Sequence, residues 1–338
     1  MAALTRPHAE VRAPHPGEGA QIARLWRELW DAHEEWGGYP GAKDEATYAQ
    51  VAARIDGDST LRRGRPQLGR HLHLVATSGG VVSGQVEGWV DRFGSALHTP
   101  TCCEVRSLIV SSRTRATGLG RALLDGLAGA ARTIAGGPVA LAAEVLEPNP
   151  AHAFYAKVGY RPVAWSVRLA TDGASWPKLG RFAGPKDALS VLLLDSALLA
   201  RRRTLADPRF DPPRAVDATA LDAISGYLAR PPGELPAELV ATDEQGTVRA
   251  AATLLVMHLD PPFVSSMRAA LCRVSVDPAV EPAPYLRTLV ELGAHVARRH
   301  GARTLEVTDL GPPGTPLHDA ALSCAAIPWS RIVVKLVG

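Results

Sequence analysis

Leu74-Val75-Ala76-Thr77 returns 165 residues later as Leu239-Val240-Ala241-Thr242, each time at the head of a hairpin-like pattern. Val105 to Val110 is echoed by Leu271 to Val276, Glu144-Val145 by Glu306-Val307, and Trp165-Ser166 by Trp329-Ser330, and the offset stays between 162 and 166. An offset that holds over separate segments predicts one domain plan used twice. The alternative is two unrelated α/β domains that share common strand patterns. A chain of 338 residues has room for two ordinary domains of about 150 residues each.

Within the first half, Ile22, Leu25, Trp26, Leu29 and Trp30 recur at helical spacing and predict a helix over Ala20 to Trp36, ended by Gly37, Gly38 and Pro40. A second helix is expected over Asp44 to Ile55, followed by a loop from Gly57 to Gly69. The period then drops to two. Strands are predicted at Leu72 to Thr77 and Val81 to Val90 around Ser78-Gly79-Gly80, with a third at Glu104 to Val110. A helix from Gly118 to about Ile134, a strand at Val139 to Val145, a helix at Pro150 to Val158 and a strand at Pro162 to Leu169 complete the plan. The fold class expected is α/β, with a mixed α+β sheet, in two tandem domains. These cover residues 1–170 and 204–338, with a Gly/Pro-rich linker and an apolar connecting helix over 171–203.

Composition narrows the function classes. With 46% apolar and 21% charged residues the chain is globular, and 37 basic against 34 acidic residues give a net charge of +3, too even to predict a nucleic-acid surface. Cys102, Cys103, Cys272 and Cys324 lack the paired spacing of a zinc or redox site, and Cys102 and Cys103 would point to opposite faces of an extended strand. His71 and His73 share a face, yet no carboxylate or cysteine adjoins them, so no metal is expected. Met1 to Gln21 has no apolar signal core, and the apolar run from Ala188 to Ala200 is short and broken by Asp195. A reduced cytoplasmic protein without membrane or nucleic-acid partners is expected, and a homodimer is left open.

The chemistry concentrates after Val110, where the chain reads Ser-Ser-Arg-Thr-Arg115-Ala116-Thr117-Gly118-Leu119-Gly120-Arg121. A strand, an Arg/Gly loop and a helix meet here. Gly118 and Gly120 let backbone approach an anion, and the amides of a helix's first turn point at it with the positive end of the dipole. Arg115 and Arg121 add charge. Downstream stands Glu147-Pro-Asn149-Pro-Ala151-His-Ala-Phe154-Tyr155-Ala-Lys-Val-Gly159-Tyr160. Together these two segments resemble motifs A and B of the GNAT superfamily of N-acetyltransferases, over roughly residues 10 to 170.

That resemblance implies acetyl-CoA as cofactor. The loop from Arg115 through Ala116, Thr117, Gly118, Leu119 and Gly120 to Arg121 would hold its pyrophosphate, the edge at Leu108, Ile109 and Val110 would take the acetyl and pantetheine portions, and Asn149 and Tyr155 would flank the thioester. Tyr155 matches the position that protonates the departing sulfur. Glu104, which by period two shares a face with Leu108 and Val110, and Glu144 on the next strand compete for the role of base. In the second half, the segment from Asp277 to Leu286 has lost both glycines and the Arg, and Pro284 stands where Gly118 stood. That copy is expected to keep the fold without the cofactor site.

The acceptor wall in such enzymes is built by the first two helices. Here it would offer Trp26, Trp30, Asp31, His33 and Glu34, in a stretch from Glu18 to Asp58 with nine acids against four bases. Leu25 to His33 is similar to the first helix of aminoglycoside 6'-N-acetyltransferases, although Arg106 stands where that group has a Glu. Tryptophan faces beside carboxylates suit an ammonium group, so a small cationic amine is the expected acceptor. The alternatives are a protein N-terminus or lysine, and a noncatalytic acetyl-CoA-binding regulator.

Overall fold

The computed structural model describes residues 10–92, 101–210, 216–264 and 266–338. In the first half the strands are β1 (Glu10–Arg12), β2 (Gln67–Leu68), β3 (His71–Ser78), β4 (Val81–Arg92), β5 (Thr101–Val110), β6 (Val139–Leu146) and β7 (Arg161–Ala170). Its helices are α1 (Gly19–Glu35), α2 (Glu45–Arg62), α3 (Leu119–Ala135) and α4 (Ala151–Lys157). The second half holds β8 (Gly180–Phe182), α5 (Ala188–Thr204), α6 (Ala218–Leu228), β9 (Ala237–Thr242), β10 (Val248–His258), β11 (Met267–Val276), α7 (Pro282–Arg299), β12 (Thr304–Leu310), α8 (Pro316–Leu322) and β13 (Ile327–Val337). From α5 onward the order repeats that of α1 to β7, with only the two-residue β2 lacking a counterpart. The helix expected to connect the domains is thus the counterpart of α1, and Leu194 and Val191 pack it onto Val240 and Ala251 of the second half.

All described strands join one mixed sheet in the order β1-β3-β4-β5-β6-β13-β7-β12-β11-β10-β9-β8, with β2 beside β3. The two halves exchange their last strands. β13 lies antiparallel along β6, from Ser330 opposite Leu146 to Val337 opposite Val139, while β7 lies antiparallel along β12, with Thr304 opposite Ala170. β7 and β13 pair with each other at the centre. The last strand of each half therefore completes the sheet of the other.

Helix positions follow from burial at helical spacing. α3 turns Leu119, Leu123, Leu124, Leu127 and Ala131 onto the core of the first half, and ends on Gly136 at φ +71°, a conformation that favours glycine. On the opposite face, α1 and α2 pack Ile22, Trp26, Trp30, Tyr48 and Ile55 against Val75, Val82 and Ile109. α2 is capped by the Asp44 carboxylate, which accepts from the Thr47 amide at 2.7 Å. It runs past Gly57 to Arg62, two turns beyond the sequence expectation. Ser59 and Arg62 are buried there, and the guanidinium donates to the carbonyl of Pro66 at 2.6 Å. That tertiary gain exceeds the cost of about 1 kcal/mol for one helical glycine. β8, unpredicted, pairs with β9 inside the expected linker.

Candidate active site

β5 and β6 run parallel and in register only from Cys102 opposite Ala140 to Val105 opposite Ala143. Beyond that point they part, although β4 follows β5 to Val110 and β13 follows β6 to Leu146. From Arg106 to Val110 one edge of β5 is therefore open. It faces a cleft of about 620 Å³ whose walls include Leu108, Ile109, Val110, Gly118, Glu144, Asn149 and Tyr155. A cavity of this volume suits a small molecule or the arm of a larger one.

The Arg115 to Arg121 loop closes one end of the cleft. Gly118 caps α3 at φ +92°, and the first helical hydrogen bond is that of the Ala122 amide to the Gly118 carbonyl at 3.1 Å. The amides of Leu119, Gly120 and Arg121 thus precede any intrahelical acceptor. A Cβ on Gly118 would meet nothing within 4 Å, so the backbone lies bare, whereas a Cβ on Gly120 would stand 3.1 Å from the Phe154 ring. The loop braces itself: Arg115 Nε donates to the Val110 carbonyl at 3.3 Å, and the Thr117 hydroxyl donates to the Thr114 carbonyl at 2.7 Å. Bare amides at a helix N-terminus beside Arg115 and Arg121 fit the pyrophosphate of acetyl-CoA.

The corresponding loop of the second half is occupied by its own side chains. The Asp277 carboxylate accepts from the Ala279 amide at 2.9 Å, Glu281 caps α7 by accepting from the Ala283 amide at 3.3 Å, and Pro282 fills the first turn. β11 and β12 also part, past Leu271 and Val307, but the Thr308 hydroxyl donates back to the Leu271 carbonyl at 3.3 Å. The fifth residue of α8, where α4 has Tyr155, is the buried Ala320, and Asp319 before it lies at the surface and accepts from the Gly314 amide.

Tyr155 is buried on the cleft wall between Phe154 and Tyr160, and burial pushes its phenol well above the ordinary value. It remains protonated across the neutral range. The Asn149 side-chain oxygen accepts from the Ala151 amide at 2.9 Å and sets the start of α4. His152 is turned away, its Nε2 beside the Leu146 carbonyl at 2.9 Å.

The two glutamates separate. Ser107 pairs with Glu87 and Val105 with Gly88, so Arg106 is an extra residue, a β-bulge. The bulge reverses the alternation: Cys103, Val105, Leu108 and Val110 pack toward α3, while Ile109 packs toward α1. Glu104 therefore does not share a face with Leu108 and Val110, contrary to the period-two expectation. It is exposed, 3.3 Å from Arg106. Glu144 stands where β5 and β6 part. Its carboxylate accepts from the Ser330 hydroxyl at 2.7 Å and from Arg268 at 3.0 Å. Burial alone would raise this carboxyl, but Arg268 and Ser330 hold it below the usual carboxylate range.

Arg268 and Ser330 belong to the second half, and both were missed by sequence reasoning; the Trp-Ser echo at Ser166 and Ser330 was the available signal. Arg268 also pairs at 2.6 Å with Glu306, the repeat's counterpart of Glu144. Glu306 is fully buried, taking Arg168 at 2.8 Å and the Tyr39 hydroxyl at 2.8 Å. Also missed was a polar chain behind Ser107, another cleft residue. Its hydroxyl donates to Glu87 at 3.0 Å and accepts from Gln85 at 3.0 Å, and His71 lies 3.4 Å from the same carboxylate.

The expected aromatic and acidic wall does not form. Trp26 and Trp30 are turned by the helical period into the core between α1, α2 and the sheet, and Asp31 and Glu34 are held at the surface by Lys43, at 2.5 and 2.7 Å. Of the predicted acceptor residues only His33 reaches the cleft, beside Trp36. Burial pushes its imidazole down to about 4, against the pull of Glu144. Among the described residues no helix is long and apolar enough to cross a membrane.

Residues 22–160 match the model of the acetyltransferase (GNAT) family. A GCN5-related N-acetyltransferase from Sphaerobacter thermophilus is similar over 99% of this chain and 97% of its own, with a TM-score of 0.57 at 17% identity. A fungal GCN5-related glucosamine N-acetyltransferase region within a multi-domain β-N-acetylglucosaminidase is similar over 99% of this chain and 39% of its own, with a TM-score of 0.55 at 13% identity. A tandem GNAT protein from the clavulanic acid biosynthesis pathway aligns over 98% of this chain and 99% of its own, at 17% identity and a TM-score of 0.49. No curated protein matches the chain by sequence. At these identities the likeness of the solved structures concerns the fold, which extends over both halves. Residues 22–160 form an acetyltransferase domain of the GNAT family.

Proposed function

We propose that this chain is an acetyl-CoA-dependent N-acetyltransferase that acts on the primary amine of a small molecule, at a single site in the first half. The observation that carries this reading is the parting of β5 and β6 over a cleft that runs from the bare amides of α3 to Tyr155 and Glu144. Bound there, acetyl-CoA supplies the acetyl group as a thioester, whose C–S bond breaks as the amine nitrogen bonds to the acetyl carbon, leaving an amide and a thiolate that takes up a proton.

The chain's own residues supply the rest. Leu119, Gly120 and Arg121 donate amides to phosphate, and the open edge of β5 orients the arm. Tyr155, kept protonated by burial, gives its proton to the sulfur. Glu144 stays ionised and accepts a proton from the amine. Around it, Glu144 and Glu306 are balanced by Arg168 and Arg268, so an amine brought out of water meets no net charge and is favoured in its neutral, nucleophilic form.

Calorimetric titration with acetyl-CoA tests the cofactor site. One molecule should bind per chain, and Gly120→Asp should abolish binding, since its side chain would press on the Phe154 ring and push the phosphate-facing amides out of place. A stoichiometry near two, or full affinity in the variant, refutes the assignment. Efficient acetylation of peptide N-termini or lysines with no turnover of small amines would replace the acceptor class.

A further inference from the structure

A second cavity, of about 660 Å³, lies in the second half between α5, α6 and the sheet. Its walls are mainly apolar: Leu192 and Leu199 come from α5, Ile224 from α6, Leu255 from β10 and Ile332 from β13. Polar side chains interrupt them, Asp195 paired with Arg273 and Asp309 near Arg209 among them, and two polar places bear on an amine. At one, the Glu238 carboxylate accepts from the Thr253 hydroxyl at 2.8 Å, and its other oxygen takes no hydrogen bond among the described residues. At the other stands Glu144 with Arg268. Glu144 borders this cavity and the cofactor cleft alike.

We propose that the acceptor of the first half's reaction binds in this second-half cavity, its amine at Glu144 and its body among Leu199, Ile224 and Leu255, and that the acceptor class is a primary amine with an apolar aliphatic or aromatic body. The inference rests on the N-acetyltransferase reading above and adds to it the place and chemistry of the second substrate. The second half has lost the loop that would hold phosphate but keeps a pocket on the face that α5 and α6 cover. A pocket walled by aliphatic side chains rewards burial of apolar surface at about 25 cal/mol per Å² and penalises a polyhydroxylated or polycationic body. An amine led in along it arrives at the one carboxylate that both cavities share. A hydroxyl at the far end of the acceptor would meet the free oxygen of Glu238; burial raises that carboxyl to about 7, so around neutral pH it is partly protonated and able to donate or accept.

The test is calorimetry with hexylamine, 6-aminohexan-1-ol, 2-phenylethylamine and spermidine, on protein free of acetyl-CoA and then saturated with it, in the native chain and in Leu255→Trp, Ile224→Trp and Glu238→Gln. Hexylamine and 2-phenylethylamine should bind the native chain without acetyl-CoA, at least tenfold more tightly than spermidine. Either Trp variant should weaken both by tenfold or more while acetyl-CoA affinity stays within twofold, which also shows that the variant is folded. Glu238→Gln should spare hexylamine and weaken 6-aminohexan-1-ol. If acetyl-CoA binds normally and neither Trp variant alters amine binding, or spermidine binds as tightly as hexylamine, the inference is overturned. If acetyl-CoA fails to bind the native chain, it is the acetyltransferase reading that falls.

Discussion

His73, held neutral in the interior, should cost this fold stability as pH falls from about 6.5 toward 4. Its ring is 2% exposed and its Nε2 has no hydrogen-bond partner among the described residues. The groups facing it are Glu87, His71, Arg62 and Gln85. Burial pushes its pKa down to about 4, and the charge of Glu87 recovers only part of the shift. In the unfolded chain the same imidazole takes a proton near its ordinary value of about 6.5. The folded value is depressed, so the contribution is complete above about pH 6.5 and drains away as pH falls toward 4. At pH 5 the loss is on the order of 2 kcal/mol, approaching about 3 kcal/mol at pH 4. Urea unfolding of the native chain, His73→Leu and His73→Gln at pH 7.5 and pH 5.0 measures this directly. The variants begin from lower stability, but the drop between the two pH values should be smaller by about 2 kcal/mol. His33, also pushed down to about 4, adds a drop of the same sign, and Glu238, raised to about 7, adds an opposing gain, in the native chain and the variants alike. If the variants lose as much as the native chain, His73 is not neutral in the fold and the reasoning fails.

Two further outcomes concern the chemistry. Tyr155→Phe should keep its affinity for acetyl-CoA and slow turnover by about 10²-fold, the scale of losing a general acid; unchanged turnover would return Tyr155 to a packing role. Glu144→Gln should lower kcat and shift the acidic limb of the rate profile, whereas Glu104→Gln, on an exposed side chain beside Arg106, should leave that limb in place. A shift with Glu104→Gln alone would reverse the assignment of the base.

Much of this was legible along the chain because it is local. The echo of Leu74 to Thr77 at Leu239 to Thr242 needs no tertiary knowledge, and the loop from Arg115 to Gly120 states in its glycines that backbone must stand bare. What escaped was set by contacts distant in sequence. α2 continues through Gly57 because Arg62 finds carbonyls beyond the helix end, and a breaker read locally cannot reveal that partner. The bulge at Arg106 moves Glu104 to the other face by one extra residue, which strict alternation has no way to register. Trp26 and Trp30 carry the same helical spacing whether they face a core or a ligand. Arg268 and Ser330 reach Glu144 across more than 120 residues of sequence. The strand exchange left no mark in the local pattern, since β7 and β13 alternate in the same way whichever half they complete.

A ribosome delivers β13 after every other strand of this sheet. Until it emerges, β6 has an open edge on the side away from β5, and β7 has only β12 to lie against. Glu144 meanwhile lacks the Ser330 hydroxyl. The half that carries the Arg115 to Arg121 loop is translated first, yet its sheet is finished only by the eleven-residue β13, so a chain cut before β13 lacks the Ser330 contact to Glu144 however well its first half has folded. The tether also removes any dependence on concentration: β6 meets β13 as part of the same molecule, and each new chain closes its own sheet without waiting for a second copy.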